Sequence, residues 1–144
     1  MRKILLAFLM IAGPATAQPH LLRTRPPPAP VLVGIDLLRA EFAAQSGGTI
    51  VYFGSGSAQI GPQATAVLQA QAAWLRRHPE IVVRIEGHGD SADTRDHALA
   101  VGARRAQEVR NYLVLLGVPA AQLSATSFGK EQPGAGRAVT VLVR

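Results

Sequence analysis

A dense group of ionisable side chains lies between positions 88 and 105. Its members are His88, Asp90, Asp93, Arg95, Asp96, His97, Arg104 and Arg105. Histidines and carboxylates are common metal ligands, but this spacing matches no established metal motif. Taken as isolated residues, Asp90 would cap a helix that follows a strand, and Arg105 would lie on a solvated helix face. Residue types alone therefore favour structural roles for this pair, and we expect no metal and no other cofactor.

The chain offers no recognisable catalytic arrangement. Ser55 and Ser57 lie in a glycine-rich turn, but neither has the flanking pattern of a nucleophile elbow. The segment Gly54-Ser55-Gly56 is too short for a phosphate-binding loop. Because a nucleophile, a base and an orienting group cannot be assembled, we do not expect an enzyme.

Arg105 belongs to the longest periodic segment, which predicts a helix over about Thr94–Leu116. Small or apolar residues recur there at steps of three and four, at Leu99, Gly102, Ala106, Val109, Leu113 and Leu116. Asp93 is the predicted N-cap, and Gly117 is the predicted helix stop. Arg104 points roughly 100° away from Arg105 around a helix, so we expect it to be a surface charge.

The rest of the chain predicts further strands and helices. Strands are expected at Thr49–Phe53, Ile81–Glu86, Leu123–Phe128 and Ala138–Val143. Another helix is expected from Pro62 to Arg77, with Val67, Leu68, Gln71, Trp74 and Leu75 on one side. The order β-α-β-α-β-β predicts an α+β fold, a two-layer α/β sandwich whose helices cover one face of a mixed four-stranded sheet.

The amino-terminal third divides into an export signal, a spacer and a short helix. Residues 1–17 have a basic start, a short apolar run and the small-residue site Ala15-Thr16-Ala17, which indicates a signal peptide. The apolar run is well short of the roughly 20 residues of a spanning helix, so we expect no integral membrane span after cleavage. Residues 18–34 are proline-rich and predict an extended linker, and residues 35–48 predict a short helix and connector. The folded domain is expected at 49–144.

Composition and charge limit the possible partners. With 48% hydrophobic and 17% charged residues, the chain is too apolar to be disordered. The absence of cysteine excludes disulfides, thiol catalysis and a lipid attached through cysteine. Removing Arg2 and Lys3 leaves 13 basic and 9 acidic residues, a formal charge of +4. This mild excess favours nucleic acid, phospholipid or wall polymers without choosing among them, and export makes nucleic acid an unexpected partner.

Three segments carry a family resemblance. They are VYFGSGSAQI at 51–60, IEGHGDSADTRDHALAVGARRAQEVRNYLVLLGV at 85–118 and SFGKEQP at 127–133. Together they resemble the OmpA-like peptidoglycan-binding domain family, which includes the carboxyl-terminal domain of OmpA and the peptidoglycan-associated lipoproteins. The shared features are a strand ending in Gly-His-x-Asp, a helix with Arg-Arg-Ala, and the 15-residue spacing from Asp90 to Arg105.

The resemblance implies non-covalent binding of the peptidoglycan stem peptide in the periplasm, with an association with the outer membrane. Asp90 would face the ammonium of meso-diaminopimelate, and Arg105 would take its carboxylate. A guanidinium can donate two charge-assisted hydrogen bonds to a carboxylate, and aspartate accepts well from an ammonium. Backbone N–H groups near Asp93 and Thr94 would bind further anionic groups. Arg137 would either assist Asp90 or the ligand, or be an ordinary surface arginine.

The chain departs from the family pattern at several polar positions. Gly54 stands where the family usually has Asp, Ala98 where it has Asn, and Ala135-Gly136-Arg137 where it has Asn-Arg-Arg. If each lost hydrogen bond to a charged ligand costs about 1.5–3 kcal/mol, two losses weaken binding about a hundredfold or more. We expect weak wall binding or a changed ligand preference. The alternative is an interaction module that keeps the fold and binds another envelope protein.

Overall fold

Helices and strands alternate along the chain in the predicted order. The computed structural model describes residues 34–132 and 136–144. Its elements are α1 (Ile35–Gln45), β1 (Ile50–Tyr52), α2 (Pro62–Arg77), β2 (Val83–His88), α3 (Arg95–Leu115), a short 3-10 helix (Ala120–Gln122), β3 (Leu123–Gly129) and β4 (Arg137–Leu142). The predicted signal peptide and, apart from Gly34, the predicted linker lie outside the described residues.

The four strands form one mixed sheet in the order β1-β4-β2-β3. β4 is antiparallel to both of its neighbours, with Val51 opposite Ala138 and Ile85 opposite Thr140. β2 and β3 are parallel, and α3 is the crossover connection that such a pair requires. Because β1 and β2 therefore run in the same direction, the loops that follow them lie at the same edge of the sheet.

The start of α3 differs from the sequence prediction in two respects. Thr94, not Asp93, is the N-cap, and its side chain accepts a hydrogen bond from the backbone N–H of His97. Leu99 is 49% exposed, whereas its neighbour Ala98 is fully buried. The predicted stripe is confirmed further along, where Gly102, Ala106, Val109 and Leu113 are buried.

Close approach between α3 and β2 explains why Ala98 replaces Leu99 on the buried face. A Cβ atom added to Gly89 would lie 2.2 Å from the carbonyl oxygen of Ala98. A Cβ atom on Gly87 would lie 1.9 Å from the carbonyl oxygen of Gly102. No larger side chain fits between backbones at these distances. The glycines thus bring the middle of α3 directly over the carboxyl end of β2.

The core confirms the predicted inner face of α2. The indole of Trp74 is fully buried, and its ring meets that of Phe42 edge to face at a centroid distance of 5.0 Å. This contact packs α1, the short helix predicted within residues 35–48, against α2. Ile81, Val83 and Ile85 are also buried. Within the described ranges, every helix is too short or too polar to span a lipid bilayer.

Candidate functional site

Asp90 lies just beyond the carboxyl end of β2, where the loop after β1 meets it. Its Oδ2 accepts a hydrogen bond from the backbone N–H of Gly56 at 2.6 Å. Its Oδ1 accepts from Nη1 of Arg105 at 3.0 Å. The side chain is 19% exposed, so an oxygen that already has one donor can accept a second from outside the protein.

The surroundings of Asp90 favour its ionised form. The hydrogen bond from Gly56 and then that from Arg105 hold the pKa of this carboxyl below its ordinary value, and the nearby His97 acts in the same direction. Partial burial opposes these effects without reversing them. The carboxylate is therefore negatively charged throughout the neutral pH range.

Arg105 is fully buried, and four acceptors surround its guanidinium. Nη1 donates to the carbonyl of His88 at 2.8 Å as well as to Asp90. Nε donates to the carbonyl of Ser57 at 2.8 Å, and Nη2 donates to the carbonyl of Gly54 at 2.9 Å. The side chain of Arg105, on α3, therefore connects the carboxyl end of β2 with the loop after β1 through hydrogen bonds.

The ring of Phe53 completes the surroundings of Arg105. The guanidinium carbon lies 5.5 Å from the centroid of this ring, which is within the range of a cation–π contact. Phe53 is in turn held by its backbone N–H, which donates to the carbonyl of Gly136 at 2.7 Å. The aromatic ring therefore gives further stabilisation to a charge that is out of contact with water.

The sequence analysis did not assign a role to the loop Gly54–Ser57, which is the main partner of the Asp90–Arg105 pair. The groups that contact the pair are the carbonyls of Gly54 and Ser57 and the N–H of Gly56. All three are backbone groups, so their positions depend on the loop conformation and not on side-chain type. The sequence sign of this loop conformation was its glycine content. Gly56 has φ +63°, a backbone conformation that favours glycine.

Asp93 and Thr94 lie in the turn between Asp90 and α3. The backbone N–H of Asp93 donates to the carbonyl of Asp90 at 3.3 Å, so this group closes the turn. The carbonyl of Asp93 accepts from Nζ of Lys130, and its Oδ2 lies 3.6 Å from Nε2 of His97. The segment that carries Asp90 is thus anchored on both sides.

Arg137 and His88 flank the pair on β4 and β2. Arg137 is half-buried and lies opposite Tyr52, at the start of β4. His88 is buried against the ring of Phe128, with a centroid distance of 5.8 Å. Burial lowers the pKa of His88, and the positive charge of Arg137 lowers it further. His88 is therefore neutral at pH 7, and its ring packs against the ring of Phe128.

A pocket of about 240 Å³ lies beside the first turn of α3. Its lining includes both charges and apolar surface and consists of Arg95, Asp96, Leu99, Ser127, Phe128, Gly129, Lys130 and Glu131. Lys130 connects this pocket with the turn that follows Asp90, because its ammonium is bonded to the carbonyl of Asp93. The pocket and the Asp90–Arg105 pair are therefore neighbours across one short turn.

The carboxylates and histidines of the site do not form a metal-binding group. Across 34–132 and 136–144, no three such side chains converge closely enough to hold an ion. Arg104, which the sequence analysis placed on the surface, is exposed. The arrangement presents one anionic acceptor backed by a buried cation, which suits recognition of a charged group.

Comparison with known proteins identifies the class. Residues 52–141 match the model of the OmpA family, and the chain belongs to this family. The peptidoglycan-associated lipoprotein of Agrobacterium fabrum is 43% identical over 86 residues, which are 60% of this chain and 49% of that protein. Its counterpart in Pseudomonas aeruginosa is 41% identical over 99 residues, which are 69% of this chain and 58% of that protein. The chain thus spans about half the length of the curated relatives it matches.

Solved structures confirm the predicted fold class. The peptidoglycan-associated lipoprotein from Burkholderia pseudomallei superposes with a TM-score of 0.65 at 37% identity, covering 67% of this chain and 92% of that chain. The carboxyl-terminal domain of Helicobacter pylori MotB gives a TM-score of 0.61 at 20% identity, covering 66% and 84%. The second likeness concerns the fold alone. The α+β sandwich with its mixed four-stranded sheet is the architecture of this family.

Proposed function

We propose that the domain binds cell-wall peptidoglycan non-covalently in the periplasm. The observation that carries the proposal is the carboxylate of Asp90, which is ionised, partly exposed and fixed in place by Gly56 and Arg105. Support also comes from the relatives, which are named peptidoglycan-associated lipoproteins. The proposed binding involves no covalent step, and the proposed location is the periplasm, in association with the outer membrane.

The ligand group that fits Asp90 is the ammonium end of meso-diaminopimelate in the stem peptide. An ammonium is a compact donor that can donate a charge-assisted hydrogen bond to the exposed part of this carboxylate. The same zwitterionic group carries a carboxylate, for which Arg105 is the candidate partner. Both charges of the ligand would then be neutralised by one pair of side chains.

Contact between Arg105 and a ligand requires a change in the loop Gly54–Ser57. Nε and Nη2 form the edge of the guanidinium that a carboxylate engages with two parallel hydrogen bonds. In the described conformation, the carbonyls of Ser57 and Gly54 occupy this edge. A ligand carboxylate would replace these two neutral acceptors with two charged ones. The contacts to His88 and Asp90 would remain and keep the arginine in place.

The family departures at Gly54, Ala98 and Gly136 predict weaker binding than in relatives that keep the polar residues. The side chain of Ala98 has no polar group, and it is fully buried against Gly89, so it cannot bind a ligand. A Cβ atom on Gly136 would lie 3.7 Å from Oδ1 of Asp90, so this position borders the site without contributing a side chain. With two hydrogen bonds fewer, the affinity is expected to be about a hundredfold lower.

Sedimentation with insoluble peptidoglycan sacculi tests the proposal. The exported chain from Gln18 onward is compared with Asp90→Asn and with the matched control Asp96→Asn, which removes an exposed carboxylate in the first turn of α3. Circular dichroism establishes that each variant is folded. We expect the wild type and Asp96→Asn to sediment with the sacculi and Asp90→Asn to remain in solution. Equal retention of all three, or retention of none, contradicts the proposal.

A further inference from the structure

The end of the domain opposite to Asp90 carries a second surface with a distinct composition. α2 and α3 both end there, and β2 begins there, because both helices run antiparallel to the strands that precede them. The two helix ends lie close together, because a Cβ atom on Gly117, just after α3, would lie 3.6 Å from Cδ of Arg76 on α2. We call this surface the basic end and define it by Arg76, Arg77, Arg110, Val114 and Leu115.

In the part of the chain that the structure describes, the arginines of the basic end are held in no ion pair, although the exposed Glu80 lies in the turn that follows α2. Among the ion pairs formed by the described residues, none includes Arg76, Arg77 or Arg110. Arg77 donates to the neutral amide oxygen of Gln45 at 3.0 Å, and Arg110 donates to the carbonyl of Leu123 at 3.2 Å. Their positive charge is therefore available to an external anion.

Large apolar side chains are exposed at the same end. Leu115 is 79% exposed, and its neighbour Val114 is 38% exposed. A single exposed apolar residue is ordinary on a protein surface. Two consecutive ones at the end of α3, where the helix meets Arg76, form a mixed surface, with side chains that can enter an apolar layer and cations that can bind phosphates above it.

We infer that the basic end docks on a membrane surface that contains anionic phospholipid. Arginine and lysine near such a surface are attracted by its negative potential, and exposed leucine and valine gain by entering the boundary between headgroups and acyl chains. A soluble polyanion would engage the arginines but would gain nothing from Leu115. Docking at this end leaves Asp90, at the opposite edge of the sheet, directed away from the membrane.

Co-sedimentation with lipid vesicles tests the inference. The exported chain from Gln18 onward is mixed with vesicles of phosphatidylglycerol and phosphatidylcholine, or of phosphatidylcholine alone. The test variant is Arg76→Gln/Arg77→Gln. The matched control is Arg95→Gln/Arg104→Gln, which removes two exposed arginines near the site end of α3. Arg23 and Arg25 are present in every variant, so their contribution is constant.

Each arginine near an anionic surface is expected to contribute about fivefold in affinity, so the test variant should bind about 25-fold more weakly. The control should bind as the wild type does. Leu115→Ser should bind about tenfold more weakly, whereas Leu99→Ser, at the other end of α3, should have no effect. Vesicles without phosphatidylglycerol should bind none of the proteins.

Three results would overturn the inference. Equal loss of binding in both double-arginine variants would mean that net charge, not the basic end, is responsible. Absence of binding to the anionic vesicles would mean that this end has no membrane partner. Unchanged binding by Leu115→Ser, together with full competition by soluble polyglutamate, would assign the surface to a polyanion. None of these outcomes depends on the peptidoglycan site.

Discussion

Replacing Arg105 with methionine should destabilise the domain by about 3–5 kcal/mol, the usual cost of removing one partner of a buried charge pair. The side chain is fully buried and donates to four acceptors, those of Gly54, Ser57, His88 and Asp90. The free-energy costs of losing these four hydrogen bonds do not add in full. The loop carbonyls and Asp90 are only partly buried and can form hydrogen bonds with water instead. The carbonyl of His88 is buried and would lose the hydrogen bond from Nη1. This loss is a large fraction of the roughly 5–15 kcal/mol that stabilises a typical domain.

Urea unfolding monitored by fluorescence measures this loss directly. Trp74 is the only tryptophan of the chain and is fully buried, so its emission reports exposure of the core. The matched control is Arg104→Met, which should change the free energy of unfolding by less than about 0.5 kcal/mol because Arg104 is exposed. A decrease in the free energy of unfolding of less than about 1 kcal/mol for Arg105→Met would refute the structural role assigned to the hydrogen bonds of Arg105.

The remaining predictions concern titration and packing. The folded pKa of Asp90 lies below its ordinary value of 3.8, so its stabilisation is complete above that pH and declines as the pH falls further. Asp90→Asn should therefore flatten acid unfolding curves below about pH 4, and an unchanged curve would contradict the two hydrogen bonds. The folded pKa of His88 lies below 6.5, so the unfolded chain takes up the proton first and stability declines as the pH falls below 6.5. His88→Phe should keep the contact with Phe128 and remove this decline, which unfolding at pH 7 and pH 5.5 will measure. Gly87→Ala should cost about 3 kcal/mol or more, because its Cβ atom would overlap the carbonyl of Gly102. A melting temperature equal to that of the wild type would show that α3 can move away from β2.

The fold followed from the sequence where local patterns and packing agree. The predicted bounds of α2, Pro62 to Arg77, are those observed, because proline marks its first turn and a regular apolar face follows. The start of α3 was predicted less well. Both Asp93 and Thr94 are good capping residues, and the choice between them depends on the turn that Asp93 makes onto Asp90.

The candidate site was only partly predictable. Residue types alone favoured separate structural roles for Asp90 and Arg105, and only the family resemblance implied that they act on one ligand. The structure places their side chains 3.0 Å apart. Their partners in the loop Gly54–Ser57 are backbone atoms, which no residue type reveals. The burial of Arg105 likewise depends on how closely the glycines let α3 approach β2. Whether Arg105 contacts a ligand stays a prediction.

Titration with free meso-diaminopimelate, followed by nuclear magnetic resonance, tests the central claim most directly. The amide of Gly56 and Nε–H of Arg105 are the reporters, because the first donates to Asp90 and the second to Ser57. We predict saturable shifts of both signals in the wild type and in Asp96→Asn, and no shift in Asp90→Asn. Shifts that persist without the Asp90 carboxylate, or a wild type in which neither signal moves, would contradict the assignment of this pair as the ligand site.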